Sequence, residues 1–142
     1  MSFVLIDNVG KEYGRNGSTT HVLRGACEQI REGEFVCLMG PSGSGKSTLL
    51  TIVGAMNRPT EGRLLVDGID VYALSDEARA DFRREYLGFV FQQHHLMPYL
   101  TAAENEMLPL ATARLPGRQK RERAMASLEL VGLADKAPRL PS

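Results

Sequence analysis

A glycine-rich stretch, GPSGSGKST at residues 40–48, combines residue types that can bind phosphate. Gly40, Gly45, Lys46 and Ser47 have the GxxxxGK[ST] spacing of a phosphate loop. Glycines let backbone N–H groups turn inward towards an anion, and a following helix adds its own unpaired N–H groups. We predict that Lys46 reaches the β- and γ-phosphates of a nucleotide and that the Ser47 hydroxyl ligates the Mg²⁺ bridging them. The alternative, a turn that merely joins a strand to a helix, requires neither a lysine nor two hydroxyls at these offsets.

The residues around the loop predict the elements that must hold it. EFVCLM at residues 34–39 is a continuous apolar run, which is typical of a strand covered on both faces in a parallel sheet. KSTLLTIVGAM contains no helix breaker, so a helix should begin near Gly45. The loop would then lie at a strand-to-helix corner, the setting in which it can wrap a phosphate. The residues predicted to bind the nucleotide here are Gly40, Pro41, Ser42, Gly43, Ser44, Gly45, Lys46, Ser47 and Thr48.

Further strands are predicted on either side of this corner. SFVLIDNVGKEYG and HVLRGACEQI carry β-branched and aromatic residues and are separated by the turn-forming cluster RNGSTT, which predicts a hairpin. GRLLVDGIDV predicts a shorter hairpin that turns at Asp67 and Gly68. LGFVF at residues 87–91 predicts a second apolar strand.

Helix caps predict the remaining elements. Ser75, followed by two acidic residues, is a typical helix start. Thr101 and Glu104 form a capping-box pattern for a helix that Pro109 should end or bend. A last helix is predicted at residues 117–131, stopped by a glycine.

The composition bounds the class of protein. A chain of 142 residues with 43% hydrophobic residues is about one globular domain, and no segment is long and apolar enough to cross a bilayer. Its 17 basic and 17 acidic residues cancel, so the overall charge does not favour nucleic acid as a partner. Cys27 and Cys37 lack metal-site spacing, so we expect two reduced core thiols.

Beyond the phosphate loop, the segments LLTIVGAMNRPTEGRLLVDGIDV and LGFVFQQHHLMPYLTAAENEMLPL carry a family resemblance. With GPSGSGKST they make essentially the whole chain resemble the ATP-binding subunit of ABC transporters. ENEMLPL is similar to the branch whose membrane partners release lipoproteins or export macrolides. The resemblance implies an α/β fold, a P-loop NTPase core of ABC type with an antiparallel β subdomain and the start of a helical subdomain. Residues 1–92 would be the front half of the nucleotide core with the antiparallel β region, and residues 93–142 the beginning of the helical subdomain.

The resemblance also implies roles for residues outside the loop. Gln92, which ends FVFQ, would ligate magnesium and orient the attacking water, a role that an amide side chain can fill. Tyr13 in KEYG would stack on adenine. Pro98, Tyr99 and Leu100 would form part of the groove where a short cytoplasmic helix of the membrane subunit docks. From the residues alone, a plainer role remains open for each. Gln92 would be a polar residue that ends a strand, Tyr13 a packing residue, and residues 98–100 part of ordinary helix–loop packing.

The implied function is to bind Mg-ATP as the energising subunit of a membrane export complex, with hydrolysis in the complete dimeric domain. The implied partners are a permease membrane subunit and a second copy of the nucleotide-binding subunit, on the inner face of the plasma membrane. We find no convincing magnesium-binding aspartate in the 142 residues, and the family's LSGGQ signature and the later histidine that senses the γ-phosphate are absent from them. We therefore expect a truncated domain that does not hydrolyse ATP by itself. Two alternatives stay open: a nucleotide-binding module without turnover, and a soluble ABC-type ATPase not linked to transport.

Overall fold

The computed structural model describes residues 2–15 and 18–141. Residues 16 and 17, within the predicted turn-forming cluster RNGSTT, lie outside these residues. The chain divides into two compact units, residues 1–89 and residues 90–142, which are described in turn.

The first unit contains a four-stranded antiparallel sheet in the order β2-β1-β3-β4. Its strands are β1 (Ser2–Arg15), β2 (Ser18–Arg31), β3 (Glu61–Val66) and β4 (Ile69–Asp70). Val9 of β1 pairs with Ala26 of β2, and Leu5 pairs with Leu65 of β3. Both predicted hairpins are confirmed, and the second turns at Asp67 and Gly68, which both have positive φ.

Two helices complete the first unit: α1 (Lys46–Val53) and α2 (Asp76–Tyr86). The Ser75 hydroxyl accepts a hydrogen bond from the Ala78 N–H, which confirms the predicted cap of α2. Apolar side chains of the sheet, of both helices and of the connecting segments form one core. Its buried members are Ile6, Val9, Ile52, Ala55, Leu64, Val66, Val71, Tyr72 and Phe82.

The strand predicted at residues 34–39 is wrong. The structure describes this segment as irregular and exposed, with Phe35 95% and Met39 83% exposed. A parallel strand forms only beside parallel neighbours, and every strand pair in the described residues is antiparallel. The prediction that Cys27 and Cys37 are core thiols is also wrong. Cys37 in this segment and Cys27 on β2 are both exposed.

The strand predicted for LGFVF is also wrong. Residues 87–91 form no strand in the structure, although they directly follow α2. An apolar run fixes a strand only when a neighbouring strand accepts its backbone hydrogen bonds, and none of the described strands pairs with this segment.

The second unit is helical. It contains α3 (Ala102–Met107), a 3₁₀ turn (Leu108–Leu110), α4 (Gly117–Leu130) and a second 3₁₀ turn (Ala134–Lys136). Both bonds of the capping box between Thr101 and Glu104 are present, and Pro109 lies in the 3₁₀ turn that ends α3. Asn105 is a buried polar residue of this unit. Its side chain bonds the backbone of Met97, Leu100 and Thr101 and so fixes the loop before α3.

Candidate functional site

The glycine-rich loop adopts backbone angles that only glycine tolerates well. Gly43 has a φ of 79° and Gly45 a φ of 89°, in the left-handed region. A Cβ on Gly45 would come within 2.9 Å of the Val22 carbonyl oxygen and 2.8 Å of a Leu23 methyl group. Glycine therefore lets the loop turn sharply against β2 immediately before α1 begins.

The loop and the first turn of α1 line a hollow of about 370 Å³. The lining residues are Val22, Ser42, Gly43, Ser44, Gly45, Lys46, Ser47 and Thr48. Lys46, Ser47 and Thr48 are the first three residues of α1, so their N–H groups have no carbonyl partner within the helix. Unpaired N–H groups and the positive end of a helix dipole make this kind of hollow favourable for an anion.

Lys46 points its ammonium group back into the loop. Its Nζ donates hydrogen bonds to the carbonyl oxygens of Gly40 at 2.8 Å and Pro41 at 2.7 Å, and it lies 3.4 Å from the Ser44 hydroxyl. The charge is thus held by neutral acceptors of the loop. A phosphate oxygen is a stronger acceptor than a carbonyl oxygen, so an incoming phosphate can take over these bonds.

A magnesium ion at this site would rely on few protein ligands. The described part of the chain contains no cluster of three His, Cys, Asp or Glu residues that could hold a metal ion. Ser47 lines the hollow with an exposed hydroxyl. One hydroxyl fits the usual coordination of Mg²⁺ in phosphate sites, where phosphate oxygens and water supply most of the ligands.

Tyr13 lies in the same unit as the loop, on β1 opposite Thr20 of β2. It is 48% exposed. Its hydroxyl accepts a hydrogen bond of 2.8 Å from the Asn57 Nδ2, and the Lys11 ammonium lies 5.1 Å from the ring centroid. Sequence reasoning missed Asn57 and Lys11, because neither belongs to a motif with fixed spacing.

The structure places the other sequence-predicted residues away from regular elements. Gln92 lies in the second unit, exposed, in an irregular segment. Asp67, which the sequence predicts at the turn of the second hairpin, lies in the turn between β3 and β4 with a φ of 48°. The sequence prediction that this acid belongs to a hairpin is therefore confirmed.

Comparison with known proteins decides the family. A family model described as ABC transporter matches residues 23–142. The chain belongs to the ABC transporter family. Solved structures agree with this assignment: the dimeric post-hydrolysis state of the ATP-binding cassette MJ0796, bound to ADP and Pi, matches with a TM-score of 0.88 and 42% identity. This match covers 97% of the chain and 61% of MJ0796.

Curated relatives are ABC transporter ATP-binding proteins. An uncharacterized one from Thermotoga maritima is 44% identical over 97% of this chain and 58% of its own length. The lipoprotein-releasing system ATP-binding protein LolD of Paramagnetospirillum magneticum is 43% identical over 96% of this chain and 60% of its own length. The chain thus spans about three fifths of the length of these relatives. In the described residues, no helix is long and apolar enough to span a membrane.

Proposed function

We propose that this member of the ABC transporter family binds Mg-ATP as the energising subunit of a membrane export complex, with ATP hydrolysed in the complete dimeric domain. The observation that carries the proposal is the hollow at the start of α1, whose lining includes Gly43, Gly45, Lys46 and Ser47. Its size and its unpaired N–H groups suit a chain of phosphates.

Each group has a role in this proposal. The loop residues from Gly40 to Thr48 cradle the phosphates, and Lys46 gives up its bonds to the loop carbonyls to neutralise phosphate charge. Ser47 and Gln92 hold the magnesium ion, which neutralises charge on the terminal phosphates. Gln92 also orients the attacking water, and Tyr13 stacks on adenine.

The proposed partners are a permease membrane subunit and a second nucleotide-binding subunit, and nucleic acid is not among them. LolD, named as part of a lipoprotein-releasing system, supports a role in export, and the dimeric MJ0796 cassette supports pairing of two copies. The proposed location is the inner face of the plasma membrane, through the permease. Within the chain, residues 1–92 would serve as nucleotide core and antiparallel region, and residues 93–142 as the start of the helical subdomain.

The loop before α3 is the proposed contact for the permease. Tyr99 is 71% exposed, although Asn105 fixes the backbone of its neighbours Met97 and Leu100. An ordered loop that presents exposed apolar side chains suits the docking of a short helix.

A second candidate function is nucleotide binding without turnover by the 142-residue chain. It is favoured by the position of Asp67: this acid lies in the hairpin turn after β3 and is not among the residues that line the hollow, where a magnesium aspartate would have to lie near the phosphates.

Binding and turnover measurements test both candidates. We expect Lys46→Ala to weaken Mg-ATP binding about 10- to 100-fold, the loss of a hydrogen bond from a charged donor. Lys136→Ala removes a lysine from the second unit and should leave the affinity unchanged. Equal affinities in the wild type and Lys46→Ala would contradict the proposal. Steady-state phosphate release that Lys46→Ala abolishes would contradict the second candidate.

A further inference from the structure

The turn that follows α1 connects Tyr13 to this helix. Asn57 donates from its Nδ2 to the Tyr13 hydroxyl at 2.8 Å, and the same nitrogen lies 3.4 Å from the Thr51 hydroxyl on α1. The Asn57 N–H also donates to the Thr51 carbonyl at 3.1 Å. One side chain thus joins the tyrosine to the helix whose first turn lines the phosphate hollow.

Asn57 is itself held in place. The Tyr72 hydroxyl lies 2.8 Å from the Asn57 carbonyl oxygen and 2.6 Å from the Ile52 carbonyl oxygen, so its single proton is shared by two acceptors. Tyr72 is buried in the core of the first unit. The backbone of Asn57 therefore has a fixed position relative to the last turn of α1.

Lys11 holds the tyrosine ring from another direction. Its ammonium donates to the Arg58 carbonyl at 2.6 Å and lies 5.1 Å from the centroid of the Tyr13 ring. An ammonium at this distance interacts with the face of an aromatic ring. Tyr13 is therefore held at its hydroxyl by Asn57 and on its ring by Lys11, both through residues of the turn after α1.

We propose that Asn57 is a positioning residue for the nucleotide base. It holds the Tyr13 ring at a fixed place relative to α1, and hence relative to the phosphates at the start of that helix. This inference rests on the proposed stacking of Tyr13 on adenine. An oriented ring binds the base without first losing rotamer freedom, a gain worth roughly 2- to 10-fold in affinity. Because the Tyr13 hydroxyl is already bonded to Asn57, the ring is the part of this side chain that contacts the base.

The experiment compares a ligand that has a base with one that has none. Dissociation constants of Mg-ATP and Mg-tripolyphosphate are measured for the wild type and for five variants. The variants are Asn57→Leu, Asn57→Asp, Tyr13→Phe, Tyr13→Ala and the double variant Asn57→Leu/Tyr13→Phe. Asn57→Leu keeps the size of the side chain and removes its hydrogen bonds. Asn57→Asp can accept a hydrogen bond from the tyrosine hydroxyl and should rescue the position of the ring.

We expect Asn57→Leu and Tyr13→Phe each to weaken Mg-ATP binding about 2- to 10-fold while tripolyphosphate binding stays unchanged. The double variant should be no weaker than either single variant, because both remove the same bond. Asn57→Asp should keep the wild-type ratio of the two constants. Unchanged tripolyphosphate binding also shows that each variant is folded.

Three outcomes overturn the inference, and they can be distinguished. If Tyr13→Ala weakens Mg-ATP binding but Asn57→Leu and Tyr13→Phe do not, the positioning role is wrong and the stacking role stands. If Tyr13→Ala leaves Mg-ATP binding unchanged, the stacking role in the proposed function is wrong and the inference falls with it. Equal weakening of both ligands by Asn57→Leu also overturns the inference, since it indicates a general loss of structure.

Discussion

The hydroxyl of the buried Tyr72 bonds two backbone carbonyls, those of Ile52 and Asn57. Burial raises the pKa of Tyr72 to about 12 from its ordinary value of 10, although the nearby Arg79 opposes this shift. We expect Tyr72→Phe to lower the free energy of unfolding by about 1 to 3 kcal/mol at neutral pH, because it removes the hydroxyl that bonds both carbonyls. The Ile52 carbonyl still accepts from the Ala55 N–H, so the Asn57 carbonyl loses more. Urea unfolding measures this difference.

The raised pKa of Tyr72 also predicts how that difference depends on pH. The folded state keeps the hydroxyl protonated, so this contribution to stability is complete below pH 10 and is lost as the pH rises through 10 towards about 12. The stability gap between the wild type and Tyr72→Phe should therefore narrow across this interval. A gap that stays constant from pH 8 to pH 12 would contradict the assignment.

Single residues were predictable from the sequence where a motif fixes their spacing. Lys46 and Ser47 follow from the GxxxxGK[ST] pattern, and the structure places both at one hollow. Asn57 lies 44 residues from Tyr13 along the chain. Only the folded hairpins and the turn after α1 bring this pair together, so no local pattern could identify it.

At the scale of elements, Gly62 and Gly68 have the same φ of 76°, so alanine substitutions at the two positions can be compared directly. A Cβ on Gly68 would meet nothing within 4 Å, whereas a Cβ on Gly62 would overlap the backbone of Asp7 and Asn8, where the pairing of β1 with β3 is irregular. We expect Gly68→Ala to cost about 1 kcal/mol of backbone strain and Gly62→Ala at least about 3 kcal/mol, since overlap adds to strain. Thermal or urea unfolding of both variants measures these costs. Similar values for the two would show that the overlap relaxes at little cost.

The cap of α3 gives a second prediction for an element. The Thr101 N–H and the Thr101 hydroxyl both donate to the Glu104 carboxylate. These bonds, the one from the N–H more than the one from the hydroxyl, hold the pKa of Glu104 below its ordinary value of 4.5. The bonds to the Glu104 carboxylate are therefore complete above pH 4.5 and are lost as the pH falls through the lowered pKa, while the bond from the Glu104 N–H to the Thr101 hydroxyl remains. Thr101→Val keeps the N–H and removes the hydroxyl, so it should return the pKa only partway to 4.5. Titration of the Glu104 carboxyl signal by NMR checks this; an unshifted pKa in the wild type would rule out the bond in solution.

Elements were predictable where their causes are local. The caps at Ser75 and Thr101 and the turn at Asp67 and Gly68 depend on residues within four positions of each other, and the structure contains all three. The apolar segments at residues 34–39 and 87–91 needed strand partners distant in sequence, and pattern alone gave no information about those partners.

At the scale of the whole molecule, residues 34–39 leave large apolar side chains in water, with Phe35 and Met39 almost fully exposed. Exposed apolar segments of high β-propensity promote association. We expect the 142-residue chain to self-associate, and Phe35→Ser/Met39→Ser to weaken this about tenfold by removing apolar area that association buries. Leu130→Ser, at an equally exposed position of α4, is the matched control and should have no effect. Sedimentation velocity measures the association, and unchanged association in the double variant would contradict the role of this segment.

The exposed segment at residues 34–39 also bears on the life of this chain in a cell. Chaperones and proteases recognise extended apolar stretches, and anything that binds such a stretch draws molecules away from the folded pool. We therefore expect the abundance of the 142-residue chain to depend on quality control as well as on the stability of its sheet and helices. A polypeptide that covered the stretch would prolong the half-life of the chain without touching its phosphate loop.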